Sequence, residues 1–445
     1  MVKKNIFVLF MMIFIILLFF TSAHAGKIEE FVLSNGLKVI TLEEHKSPVV
    51  TFQVWYKVGS RNEITGKTGL SHLAEHMMFK GTKRYGKGEF SKIVSKNGGT
   101  ENAFTSKDYT AYFENFASDR IELSLKLESD RMVNLIMDEK EFLLERDVVK
   151  EERRLRTEDD PHSLLIEIVK ATAFLVHPYH SPVIGWMNDL NNLTRNDAFK
   201  YYKRYYVPNN ATIIVVGDFD TTRLIPKIRS YFENIPEAPD IPEVDIVEPE
   251  QRGERRIYVK KEAELPFVLI GYRIPNYKSK DTFALSLLAN ILSSGKSSRL
   301  YKSIVYDNKI ALDIGAEYDD LSTDPNLFYF YGMPKPEVSA ERLEKAIYKE
   351  IERIKSEPVS DKEIQKAKNQ VEASFIMGKD SNFYQAMLIG MTETINAGYR
   401  YLEDYVDNIR EVTKEDIMDV AKRYLVEDKR TVGILIPVKK KSLAD

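Results

Sequence analysis

Thr194-Arg195-Asn196-Asp197 opens a segment that runs to Thr212, and Thr413-Lys414-Glu415-Asp416 opens one that runs to Thr431; the two align without a gap. Thr194 pairs with Thr413, Asp197 with Asp416 and Lys203-Arg204-Tyr205 with Lys422-Arg423-Tyr424, all at one offset. Val207 with Val426 and Thr212 with Thr431 continue the match. Each copy then enters an apolar run suited to a buried strand, residues 213–216 and 432–436. A predicted helix and strand recurring in step point to internal duplication. The chain is expected to fold as two homologous α+β domains.

A linker separates the copies. Pro236, Pro239, Pro242 and Pro249 fall in an acidic, low-complexity segment, residues 233–250, which does not suit a compact element. The expected domains are residues 26–235 and 253–445, with 236–252 between them. Within the first, 31–40 reads as two short strands around the Asn35-Gly36 turn, and 49–58 as a further strand. Residues 68–80 predict a helix and 139–158 a long charged one. Gly98-Gly99 and the alternating run 103–113 suggest a hairpin, and 213–216 closes this half.

Bulk properties narrow the classes. The 445 residues are 43% hydrophobic and 29% charged, an ordinary globular balance with ample core. A net charge of −3 without a dominant basic patch argues against nucleic acid as a partner. With no cysteine, disulfides, thiolate metal sites and cysteine nucleophiles are excluded. At the N-terminus, Lys3 and Lys4 precede an apolar run, 6–20, and Ala23-His24-Ala25 stands before Gly26. This is the layout of a secretory signal peptide, residues 1–25, cleaved after Ala25. The expected destination is the periplasm or extracellular space. An uncleaved membrane anchor is the alternative, although the run is shorter than the ~20 residues a spanning helix needs. No later segment is apolar enough to span a membrane.

The chemistry-bearing stretch is His72-Leu73-Ala74-Glu75-His76. On a helix, residues four apart share a face, so both imidazoles can reach one metal ion. Glu75 stays near that face and could hold a water on the metal. H-x-x-E-H is the inverted form of a zinc-protease signature. Zinc in a hydrolase takes three protein ligands and leaves one position to water. Glu145, Glu151 and Glu152 on the charged helix are candidates for the third, and Glu145 and Glu152 lie two turns apart on one face. The duplication provides a control: Leu70 to His76 aligns with Leu285-Ser286-Leu287-Leu288-Ala289-Asn290-Ile291. The apolar positions persist while both histidines and the glutamate are lost, so packing does not require them. Buried core groups are the bland reading of the motif. His177 and His180 read as loop packing, Tyr201, Tyr202, Tyr205 and Tyr206 as core, and neither Ser71 nor Ser106 has a histidine placed to activate it.

With Glu152 following the motif, the chain resembles the pitrilysin/insulinase family of zinc metallopeptidases, the inverzincins, and within it the processing-peptidase branch. Asn35-Gly36-Leu37, Gly59-Ser60-Arg61-Asn62-Glu63, Asn102-Ala103 with Thr105, and His177-Pro178-Tyr179 extend the resemblance over the chain. It implies one zinc per chain on His72, His76 and Glu152. It implies Glu75 as general base toward the metal-bound water and Glu145 as supporting carboxylate. Residues 99–104, with Asn102 and Ala103, would be an edge strand that extended peptide substrates join by main-chain hydrogen bonds. Phe79 would line an apolar pocket beside the metal. The fold implied is two α/β-roll domains, antiparallel sheet packed with helices, enclosing a chamber.

One departure stands out. Active single-unit members carry an Arg and a Tyr seven residues apart in the non-zinc domain, and those positions fall here on Val305 and Leu312. Some relatives divide the zinc site and the Arg/Tyr pair between two subunits. The expectation is therefore a zinc-bearing endopeptidase subunit in a heterodimer with a homologous non-zinc subunit, a homodimer being the alternative. A non-catalytic assembly subunit or a peptide-binding or zinc-binding module are the competing functions.

Overall fold

Both copies of the duplicated segment start a helix in the same way. Ahead of helix Arg195–Tyr205, the Asp197 N–H donates to Thr194 Oγ1 (3.2 Å) and the Thr194 N–H to Asp197 Oδ2 (2.9 Å). Thr413 and Asp416 repeat this ahead of helix Lys414–Tyr424, at 3.1 and 2.8 Å. The recurring Thr and Asp are thus caps for N–H groups that have no partner inside the helix.

The computed structural model describes residues 26–439; the expected leader, 1–25, lies outside the described residues. The first sheet contains β1 (Ile28–Val32), β2 (Lys38–Glu43), β3 (Val49–Tyr56), β4 (Thr100–Thr105), β5 (Thr110–Ala117) and β6 (Ala211–Gly217). The second contains β7 (Arg255–Glu262), β8 (Phe267–Ile274), β9 (Ala311–Tyr318), β10 (Asn326–Pro334) and β11 (Arg430–Val438). Their orders are β1-β2-β6-β3-β5-β4 and β7-β11-β8-β10-β9. With β1 set aside the two sheets correspond strand for strand, down to a parallel pair in each, β2 with β6 and β7 with β11. The other pairings are antiparallel. The two homologous halves expected from the duplication are what forms, each a mixed sheet packed with helices.

The strand expected over 213–216 is buried as read: β6 lies inside the sheet between β2 and β3. Other details differ from expectation for local reasons. The motif helix is Leu70–Met77, shorter than 68–80; it starts late because Gly69 sits in the left-handed region at φ 88° and cannot extend the helix backward. The charged helix is regular over Glu139–Arg153 and then widens into a π turn, Arg154–Glu158.

The halves exchange helices. Helix Pro161–Ala173 belongs to the first half by sequence, yet its Leu165 and Val169 pack on Val259, Phe267, Leu269 and Leu435 of the second sheet. Helix Asn382–Thr394 does the reverse: Ala386 and Ile389 pack on Ile40, Leu42, Trp55, Ile214 and Val216 of the first. Two glycines allow the close approach. A Cβ on Gly390 would stand 2.1 Å from Trp55 Cε2, and one on Gly433 would stand 2.3 Å from Val169 Cγ2.

A polar seam closes the contact between the halves. Asp324 accepts from Arg61 Nε at 2.5 Å and lies 3.0 Å from His177 Nε2. Asp108 accepts from Tyr179 Oη (2.7 Å) and from the Thr323 N–H (3.1 Å). The proline-rich segment has no helix or strand over residues 236–252, but it is pinned. Glu248 accepts the N–H groups of Leu175, Val176 and His177 at 2.7 to 2.9 Å.

Candidate metal centre

The motif helix is fixed at its start and along one face. Glu63 accepts the N–H groups of Gly69 and Ser71, each at 2.7 Å, filling positions the first turn cannot satisfy itself. Leu70, Leu73, Ala74 and Met77 are buried in the first core. That leaves His72, Glu75 and His76 on the opposite face, toward helix Glu139–Arg153.

There the imidazoles meet one carboxylate. Glu152 Oε2 lies 3.8 Å from His72 Nε2 and 3.5 Å from His76 Nε2. Ligand atoms of the three residues all fall within 4.8 Å of one another, and no other group of this kind occurs among the described residues. Two imidazole nitrogens and one carboxylate oxygen suit zinc with an open fourth position. The environment favours lone pairs over protons: burial, then His76 and Arg156, push His72 down to about 3. His72 Nδ1 is buried without a hydrogen-bond partner. His76 Nδ1, by contrast, lies 3.2 Å from Glu145 Oε2, and Lys80 Nζ holds the other Glu145 oxygen at 2.6 Å. Burial alone would raise Glu145, but these two bonds hold it below the usual carboxylate range. The three glutamates left open by spacing are thereby sorted. Glu152 joins the histidines, Glu145 buttresses His76, and Glu151 points outward to Arg154 at 2.6 Å.

Glu75 stands beside the cluster. Burial raises its proton affinity, and a hydrogen bond from Thr105 Oγ1 works the other way. The cluster opens into a cleft of about 750 Å³, lined by Asn102, Ala103 and Thr105 of edge strand β4 and by Ile166 and Lys170 of the exchanged helix. Every residue lining it falls between His72 and Ile184, in the first half. Phe79 is not among them. Its ring lies 6.3 Å from that of Tyr112 and 5.2 Å from the Arg131 guanidinium, turned toward the core. Sequence reasoning gave no role to Thr105, Lys80 or Arg156, whose Nη1 bonds Glu152 Oε1 at 2.7 Å. Lys80 and Arg156 each follow a site residue by four positions, a helical spacing that could have flagged them.

The second half keeps a counterpart groove of about 670 Å³ lined by Asn290 and Gln370. Asn290 aligns with Glu75, and Lys368-Asn369-Gln370 reads like Lys150-Glu151-Glu152 with amides for acids. Leu287 and Ile291, in place of the histidines, are buried in the second core.

Two like halves, only one carrying H-x-x-E-H beneath an acidic helix, define an inverzincin-type protein. Residues 38–185 match Insulinase (Peptidase family M16), and residues 192–371 match the Peptidase M16 inactive domain. The chain belongs to peptidase family M16. It is 36% identical to the zinc protease PqqE of Helicobacter pylori, over 93% of this chain and 94% of that one. An uncharacterized zinc protease of Mycobacterium leprae is 29% identical over 91% of each chain. The crystal structure of a protease from Helicobacter pylori superposes with a TM-score of 0.90, at 36% identity, covering 93% of this chain and all of that one. The periplasmic protease PqqL from Escherichia coli shares the fold at a TM-score of 0.79 and 18% identity; this chain spans 49% of it.

Proposed function

We propose that the chain is a zinc-dependent endopeptidase acting on extended or unfolded peptides, and that it is the zinc-bearing member of a pair. The observation that carries this is the convergence of His72, His76 and Glu152 beside a separately held Glu75, in a cleft walled by an open strand edge. Zinc held there would act as a Lewis acid on the scissile carbonyl and on the attacking water. The chain's own groups supply the rest. The main chain of β4 aligns the substrate as an added strand. Glu75, fixed at Oε2 by Thr105, takes the proton of the attacking water and returns it to the departing amine nitrogen. Glu145 holds His76 in one ring orientation through Nδ1.

The partner follows from what is missing. Val305 packs against the second core, and Leu312 is half-exposed on β9; neither lines the cleft. Loss of one oxyanion donor can cost roughly 3–4 kcal/mol in the transition state, so without both the lone chain is a weak enzyme. A second, homologous subunit would supply an Arg/Tyr pair and complete the chamber; a homodimer is the alternative pairing. The test is metal analysis and peptide-cleavage mapping of the chain alone and with a co-expressed relative lacking H-x-x-E-H. Zinc at one per chain, with activity rising on pairing, is expected; full activity of the lone chain overturns the partner. Glu75→Gln should keep zinc and lose hydrolysis. If it matches wild type on a panel of unfolded peptides, a non-catalytic binding or assembly role takes over. The proposal includes export with cleavage after Ala25, which N-terminal sequencing of the mature protein checks.

A further inference from the structure

The charges around the cleft are unevenly spent. Glu152 belongs to the metal cluster, Glu75 is held beside it by Thr105, and Glu167 is bound by both Arg153 Nη1 and Nη2 at 2.8 Å. The remaining lining charges are cationic: Arg156, Lys107 and Lys170. Arg156 is paired with Glu152. Lys107 donates to the Tyr179 carbonyl and lies over that ring at 4.8 Å. Lys170 alone is left over. Its ammonium has no hydrogen bond or ion pair among the described residues, and it lies over the Tyr329 ring face at 5.6 Å. It stands where the cleft meets a second groove of about 540 Å³ between the halves. Glu317 and Asp319 line that groove without reaching ion-pair distance. Burial holds Lys170 below the ordinary lysine range, with Glu317 and Asp319 acting the other way. A desolvated ammonium that no anion reaches at bonding distance is costly, and an incoming carboxylate relieves that cost with a charge-assisted hydrogen bond.

Main-chain pairing along β4 is indifferent to side chains, so selectivity has to come from the walls. We propose that Lys170 binds a substrate carboxylate, making the metal cleft selective for peptides that present an acidic group to the exchanged helix; this rests on the peptidase reading above. The carboxylate could be an internal Glu or Asp or the peptide's own C-terminus.

The test measures binding, by fluorescence anisotropy, to zinc-loaded full-length Glu75→Gln protein, with wild-type cleavage followed in parallel. One peptide series exchanges internal Glu for Gln position by position with an amidated end; another compares a free with an amidated C-terminus on an uncharged peptide. In one series the carboxylate form should bind about tenfold tighter, which also identifies its source. Adding Lys170→Gln should bring that ratio within about twofold, and Lys170→Arg should largely keep it. Equal binding in both series, a preference that survives Lys170→Gln, or no peptide binding at all overturns the assignment. A carboxylate preference without any wild-type cleavage, even with the co-expressed relative lacking H-x-x-E-H present, counts against the peptidase reading and leaves Lys170 as a carboxylate binder.

Discussion

His72 and His76 show what can be read from spacing and what cannot. Residues four apart on a helix must share a face, so the pair was legible from the sequence, and its loss in the duplicate showed that packing did not demand it. Thr105 was not legible as a partner, because its bond to Glu75 joins residues 30 apart in sequence. The same holds for Phe79: it follows the motif closely, yet the chain turns its ring into the core. Two predictions belong at this scale. Glu145→Gln should lower metal affinity by about 10- to 100-fold by loosening His76, as competition with a chelator would show. Thr105→Val should reduce kcat about tenfold with little change in KM, since Glu75 loses its anchor while the β4 backbone remains. An equal fall in metal content would instead make Thr105 part of ion binding.

The exchanged helices carry the lesson of elements. Leu165 with Val169, and Ala386 with Ile389, mark apolar faces that the sequence displays, and each sits on a helix near its own half. Nothing in such a face names the sheet it will cover. That choice depends on shape, on Gly433 and Gly390 opening room at the contacts, and emerges only in three dimensions. Gly390→Ala decides between two effects. Helix propensity alone would favour Ala by about 1 kcal/mol, whereas a Cβ pressed into the Trp55 ring costs about 1–3 kcal/mol or more. Net destabilisation is therefore expected in urea unfolding. Leu165→Ala should cost about 2–5 kcal/mol by leaving a cavity between helix and second sheet.

For the whole molecule, the duplication was legible because caps and strands recur in step, while the seam was not. Arg61, Asp108, His177 and Asp324 look like unrelated loop residues until the halves meet. Burial would raise the Asp324 carboxyl, but bonds from His177 and Arg61 hold it down to about 2. The folded state therefore binds fewer protons than the unfolded chain between about pH 4 and pH 2. The seam's contribution is full above about pH 4 and is lost as pH falls toward 2. Asp324→Asn should cost about 2 kcal/mol at pH 7 and almost nothing near pH 2, measured by urea unfolding at both.

Reciprocal exchange has a consequence for how the protein is made. When the ribosome has completed the first half, Trp55, Ile214 and Val216 have no cover, and Leu165 and Val169 have nothing to sit on. The first face waits for Asn382–Thr394, and the second for β7 and β8 and, last of all, β11. A nascent chain thus carries sticky faces through a long stretch of its synthesis, and a truncated messenger should yield a fragment prone to aggregate. Each half finishes its core with a helix from the other, so the half lacking the H-x-x-E-H motif also serves as part of the scaffold that holds the motif-bearing half together.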